Sequence, residues 1–114
     1  MKSLKFTLLK EKLISGEKDQ TFRCLFVPNY DVGEVINVKF QDEILYQAIV
    51  KEIYPKQIKD LSLEEAKRDG FESIQEMQNK IMELNNVKSL NRWGFVIRFK
   101  KILNIDTFLQ KQYI

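Results

Sequence analysis

Gly16-Glu17-Lys18-Asp19-Gln20-Thr21-Phe22-Arg23 ends one periodicity and begins another, and the fold turns on that switch. Upstream, Leu9, Leu13 and Ile14 recur at helical spacing, so Gly16 closes a short helix. From Thr21 the period becomes two: Phe22, Cys24 and Phe26 point one way, Thr21 and Arg23 the other. A turn at Gly16 sets Lys18 just ahead of that strand. An ammonium, a hydroxyl and a guanidinium then converge at one strand end, beside an apolar run. Three such donors suit an anionic or carbonyl-rich ligand. The commoner fate of these residue types is a solvated basic turn, with Thr21 present for its strand propensity.

Outward from this stretch, residues 4–8 form a short strand, and Pro28 and Asn29 close the one opened at Thr21. Asp31-Val32-Gly33-Glu34 reads as a turn. Ile36, Val38 and Phe40 alternate, and Gln41-Asp42-Glu43 is short enough for a hairpin loop. Residues 44–54 predict a long central strand covered on both faces and ended by Pro55, with Tyr46 and Tyr54 on one face in structural roles. Ser62 with Glu65 is a capping box, Leu61 staples onto Ala66, and Gly70 stops that helix. Ser73 with Glu76 repeats the signal, and Ile74, Met77, Ile81 and Leu84 form a stripe whose expected role is core packing. After a polar loop at 85–91, residues 94–103 alternate, with Phe95, Ile97 and Phe99 inward and Arg98 and Lys100 outward. The tail from Asn104 carries Phe108, Leu109, Tyr113 and Ile114 and fits either an extra strand or a short helix.

This order of elements is an α+β pattern. Five to six short strands close into a small mixed β-barrel, with two to three helices covering one side. The length of 114 residues, 44% of them apolar, with two prolines and four glycines, predicts a single globular domain over 1–114, its core at about 4–103 and a tail at 104–114. No apolar run approaches the roughly 18 residues of a membrane span. The opening Met1-Lys2-Ser3-Leu4-Lys5 leads into no signal-peptide core, so a cytoplasmic protein is expected.

Absences narrow the chemistry. The chain has no histidine, which excludes Ser-His-Asp and Cys-His catalysis and His-ligated metal sites. The single cysteine, Cys24, excludes an intrachain disulfide and thiolate zinc clusters, and its expected role is that of a small buried hydrophobe. No metal and no cofactor are expected. Lysine, threonine, tyrosine, arginine and carboxylates are left to act. A net charge of +3 is compatible with nucleic acid without arguing for it.

Gly16, Lys18, Thr21 and Arg23 occupy the Gly-x-Lys-x-x-Thr-x-Arg pattern, and the chain here resembles the ASCH domain family of the PUA-like superfamily. Val32-Gly33-Glu34 is similar to the family's turn before the next strand. Asp69-Gly70-Phe71-Glu72-Ser73 is similar to its acidic residue between two helices, and Gly94-Phe95-Val96-Ile97-Arg98-Phe99 to its closing strand. The resemblance spans roughly residues 4–103. It implies a PUA-like barrel that binds RNA or a modified nucleoside in a cleft between barrel and helices, through Gly16, Lys18, Thr21, Arg23, Trp93 and Arg98.

A second implication is enzymatic, since some small ASCH proteins are amidohydrolases that deacetylate N4-acetylcytidine with a Lys, a Thr and a helical Glu. Lys18 and Thr21 match the first two, and Asp69 stands where the Glu is expected, one methylene shorter. In that mechanism Thr21 Oγ1 attacks the acetyl carbonyl, or positions a water that does, and Lys18 accepts the proton. Asp69 exchanges a proton with the leaving amine and Arg23 stabilises the oxyanion; Glu52 or Glu65 are alternatives to Asp69. A nuclease of the same fold is a third reading. Trp93 is a candidate base-stacking residue. Lys88, Arg92, Arg98, Lys100 and Lys101 are candidate phosphate contacts, a solvated charged face being their commoner role.

Overall fold

The computed structural model describes residues 1–25 and 27–102; the expectations for Phe26 and for the tail at 104–114 lie outside them. Five strands, β1 (Ser3–Phe6), β2 (Gln20–Arg23), β3 (Val35–Phe40), β4 (Glu43–Gln57) and β5 (Trp93–Lys101), form one sheet in the order β1-β3-β4-β5-β2. β1 runs parallel to β3, and every other pairing is antiparallel. Among the described residues three α-helices complete it: α1 (Lys10–Ser15), α2 (Leu63–Arg68) and α3 (Ile74–Asn85). This is the expected mixed α+β arrangement of five strands and three helices, with the sheet curled into a half-barrel whose edge strands β1 and β2 do not pair.

Alternation divides the apolar residues between two cores. Leu4, Phe6, Ile36, Val38, Val50, Ile97 and Phe99 fill the concave face of the curled sheet, and Leu13 of α1 plugs it from one end. Phe22, Val96 and Tyr54 face the other way and pack against Ala66, Met77 and Ile81 of α2 and α3. β2 and the middle of β5 are thus buried on both sides, whereas β4 is not covered on both faces as expected: Tyr46, Ala48 and Val50 are buried while Ile44, Gln47 and Lys51 are exposed.

Several local expectations are corrected. β1 ends at Phe6 instead of residue 8, because Leu9 takes a left-handed backbone at the start of α1. β2 ends at Arg23, where the Leu25 amide folds back onto the Arg23 carbonyl at 2.9 Å and draws Cys24 out of the ladder. Pro55 does not end β4. Beyond Ile49 that strand has lost β3 and pairs only with β5, so one of its edges is open and a proline is tolerated there. A bulge at Lys51 exchanges the faces of β4. Tyr46 therefore lies in the concave core and Tyr54 in the helix-side core, not on one face. Leu84 leaves the core stripe of α3 and is 61% exposed.

Candidate functional site

β1 and β2 are the two edges of the sheet, and the curl brings them together without backbone pairing. Arg23 stitches the seam: its Nη2 donates to the Lys5 carbonyl at 2.7 Å, and its Nε donates to Thr21 Oγ1 at 3.0 Å. Phe6 lies beneath, with the Arg23 guanidinium 5.0 Å and Lys18 Nζ 5.2 Å from its ring centre. A cleft of about 260 Å3 opens along the seam, lined by Lys5, Lys18, Thr21, Arg23, Leu84 and others. The exposed Leu84 is one wall of it.

Lys18 is held by its backbone. Gly16 adopts φ +86°, the left-handed conformation expected there, and closes α1. The Lys18 amide then bonds the Lys12 carbonyl at 3.0 Å, and the Asp19 amide bonds the Arg68 carbonyl at 3.0 Å. Asp69 arrives from the opposite direction through the Schellman turn that ends α2. The Phe71 amide returns to the Ala66 carbonyl and the Gly70 amide to the Lys67 carbonyl, with Gly70 at φ +93°. Lys12 Nζ clamps this turn by donating to the Gly70 carbonyl at 2.6 Å. Asp69 is thereby presented to Lys18 from 51 residues away.

Lys18, Thr21 and Asp69 are only 4%, 5% and 4% exposed. Lys18 Nζ donates to Asp69 Oδ1, to the Asp69 carbonyl at 2.7 Å and to the Gln20 carbonyl at 3.1 Å, so all three ammonium hydrogens are engaged. Burial pushes the Lys18 ammonium below its ordinary value of 10.5, Asp69 opposes that, and the Arg23 charge adds to it. Burial also pushes the Asp69 carboxyl above its ordinary 3.8, against the Lys18 charge and hydrogen bond. The two affinities thus shift toward each other. Beside them, Thr21 Oγ1 accepts from a guanidinium, which stabilises negative charge on that oxygen.

Not every expected site residue joins this group. Gly16 and Arg98 border a separate cavity of about 580 Å3, on the far side of Lys18, which Lys18 also lines. Arg98 is paired with Glu52 at 2.9 Å. Trp93 lies in a third cavity. The alternative carboxylates are otherwise occupied: Glu65 takes Lys56, the Tyr54 hydroxyl and the Ser62 amide, leaving Asp69 as the acid at Lys18. Cys24 is half-buried against the helix-side core, and burial pushes its thiol up, away from the reactive thiolate.

Phe6, Lys5 and Leu84 belong to the cleft and carried no signal as site residues, since each fits an ordinary strand or helix pattern. Among the described residues no cluster of three His, Cys, Asp or Glu side chains is placed to hold a metal ion, and no helix is long and apolar enough to cross a membrane.

The architecture is that of ASCH domains. An ASCH domain from Lactobacillus crispatus JV V101 superposes with a TM-score of 0.67 at 13% identity, over 88% of this chain and 79% of that one. A DUF984 family protein of Enterococcus faecalis V583 gives 0.66 at 14%, over 81% and 68%. The crystal structure of a hypothetical protein gives 0.58 at 21%, over 90% and 100%. At these identities the likeness establishes a shared fold. No protein-family model and no curated protein matches the sequence.

Proposed function

We propose that the seam cleft binds a nucleoside, free or within RNA. The observation that carries this is the side-by-side burial of Lys18 and Thr21 on one cleft, with Arg23 bridging Thr21 to the facing edge. The volume of about 260 Å3 accommodates a small polar ligand rather than a macromolecular surface. Thr21 and Arg23 supply donors for a carbonyl-bearing base, and Leu84 supplies an apolar wall. Calorimetric titration with cytidine and with N4-acetylcytidine tests this: binding is expected, and Arg23→Ala weakens it at least tenfold. Absence of heat at millimolar nucleoside removes the reading.

A second reading, an amidohydrolase of N4-acetylcytidine, is favoured by the buried Lys18–Asp69 pair, whose lysine lines the same cleft as Thr21. Thr21 Oγ1 adds to the acetyl carbonyl and its proton passes to Lys18 in its neutral form, held in place by its hydrogen bonds to Asp69. Collapse breaks the C–N bond, the cytosine amine takes the proton from Lys18, and water releases acetate from the threonyl ester. Incubation should release cytidine, with Thr21→Ala at background. The rate should rise with pH along a limb centred below 10.5, because the amine must be neutral to accept a proton and burial lowers its affinity. No cytidine at high enzyme concentration eliminates this reading and leaves binding intact.

A further inference from the structure

Behind the seam cleft lies a larger space. The cavity of about 580 Å3 on the far side of Lys18 has more than twice the volume of the seam cleft, and Lys18 is the one residue that lines both. Six cations border it, Lys18, Lys51, Arg68, Arg98, Lys100 and Lys101, against two carboxylates, Asp19 and Glu52. Both carboxylates are engaged within the lining: Asp19 takes Arg68 at 3.1 Å and Glu52 takes Arg98 at 2.9 Å. Asp69 compensates Lys18. Among the described residues no ion pair reaches Lys51, Lys100 or Lys101. The formal net charge of the chain is +3, so these three side chains alone match the charge of the whole protein.

Three ammonium groups around one cavity repel one another, and walls of one sign concentrate counter-ions. A compact oxyanion with two charges answers them best, its oxygens shared among ammonium and guanidinium donors. An oligonucleotide is the poorer match. Its phosphates each carry one charge and are spaced along a chain, whereas these lysines line a single cavity.

Lys18 gives such an ion a second effect. Its three hydrogens are held by Asp69 and Gln20, so an anion in the cavity acts on it through space. The charged groups that already face Lys18 are Asp69 and Asp19, which favour its ammonium form, and Arg23, which opposes it; burial opposes it most. The rings of Phe6 and Phe71, 5.2 and 6.0 Å from Nζ, carry no net charge. Negative charge added from the cavity side favours the ammonium, and by linkage the ammonium favours the anion.

We propose that the cavity behind Lys18 binds a small doubly charged oxyanion, a phosphate monoester or a dicarboxylate, and that its occupation holds Lys18 in the ammonium form. An occupied cavity thereby silences Lys18 as a proton acceptor. That last consequence rests on the amidohydrolase reading; the anion site and its link to Lys18 do not.

Inorganic phosphate and succinate are titrated calorimetrically against sodium chloride at equal ionic strength, at a pH where both are dianions. The recipients are the parent and Lys51→Gln/Lys100→Gln, two exposed positions outside the seam cleft. The parent should bind with a dissociation constant below a millimolar, and the double variant about tenfold more weakly or worse. Whichever anion binds more tightly names the source. Lysine protonation is followed by NMR on carbon-13 at Cε. The bound anion should raise the Lys18 midpoint by about half a pH unit or more in the parent and leave that of the variant where it was.

Equal responses to phosphate, succinate and chloride, or binding that ignores the double variant, mean an adventitious ion only and overturn the site. Binding that leaves the Lys18 midpoint unmoved overturns the link. Displacement of the bound anion by a short RNA assigns the cavity to nucleic acid and equally overturns the proposal. A protein that neither binds nor hydrolyses nucleosides, yet takes up the anion with the rise at Lys18, fails the function proposed above and upholds this inference.

Discussion

Lys18 and Asp69 form a charge pair almost without water, and that makes each dependent on the other. Desolvating either ion costs several kcal/mol, which the partner and its hydrogen bonds offset. Removing one member by Lys18→Met or Asp69→Asn leaves a buried group without its counter-charge and should cost about 3–5 kcal/mol in urea unfolding. The double variant Lys18→Met/Asp69→Leu should recover to within about 1 kcal/mol of the parent, because two apolar side chains replace two desolvated ions. A double variant as unstable as the sum of the singles would show that the groups do not act as a unit. Lys18, Thr21 and Arg23 were legible in the sequence because their spacing is local and the turn beside them is marked by glycine. The acid was legible only through its place between two helices. Phe6 was not legible, since its contact with two cations depends on the meeting of strands that the sequence separates.

At the scale of elements, two devices hold β2 and α2 where the site needs them. Gly94 of β5 lies under the Phe22 ring: a Cβ there would stand 2.4 Å from Phe22 Cζ and 2.7 Å from the Arg23 carbonyl. Gly94→Ala must push β2 outward, and with it Thr21 and Arg23, at a cost of about 1–3 kcal/mol or more. Ligand affinity should fall together with thermal stability; unchanged binding in a destabilised variant would show that β2 does not carry the site. Glu65 ties α2 to β4 through Lys56 and Tyr54 as well as closing the capping box.

Burial raises the affinity of the Glu65 carboxylate for protons, but bonds from Lys56, Tyr54 and Ser62 outweigh it and leave the group below its ordinary 4.5. The unfolded chain thus holds more protons between the folded value and 4.5, and this contribution is present above that window and lost as pH falls through it. Glu65→Gln should accordingly be less stable than the parent at pH 7 by about 1–2 kcal/mol, and the gap should close as the pH falls below 4.5. A gap independent of pH would assign the effect to lost packing. The capping box and the glycine stop of α2 could be read in advance because both are local grammar. The bulge at Lys51 could not: read as one apolar run, residues 44–54 give no sign that the buried face passes from Tyr46, Ala48 and Val50 to Ile53.

For the molecule as a whole, the site exists because the sheet curls without closing. β1 and β2 leave two open edges, and a half-barrel with open edges is expected to loosen there first. Side chains replace the missing ladder: the Arg23 fork reaches Thr21 on its own edge and Lys5 on the other, over the Phe6 ring. No periodicity in either segment announces this, since it arises from the sheet order and not from the strands themselves. A lysine in place of Arg23 keeps the charge but is a point donor without the rigid fork, and it cannot hold both partners in that geometry. Arg23→Lys should therefore leave the central β3-β4-β5 amides protected from hydrogen exchange while protection in β1 and β2 falls at least fivefold, about 1 kcal/mol of local opening. Ligand binding should weaken in proportion, because opening the seam dismantles the cleft walls. If exchange in β1 and β2 stays at the parental rate, Arg23 serves only as a charge at the site, and the seam is held by the packing around Phe6.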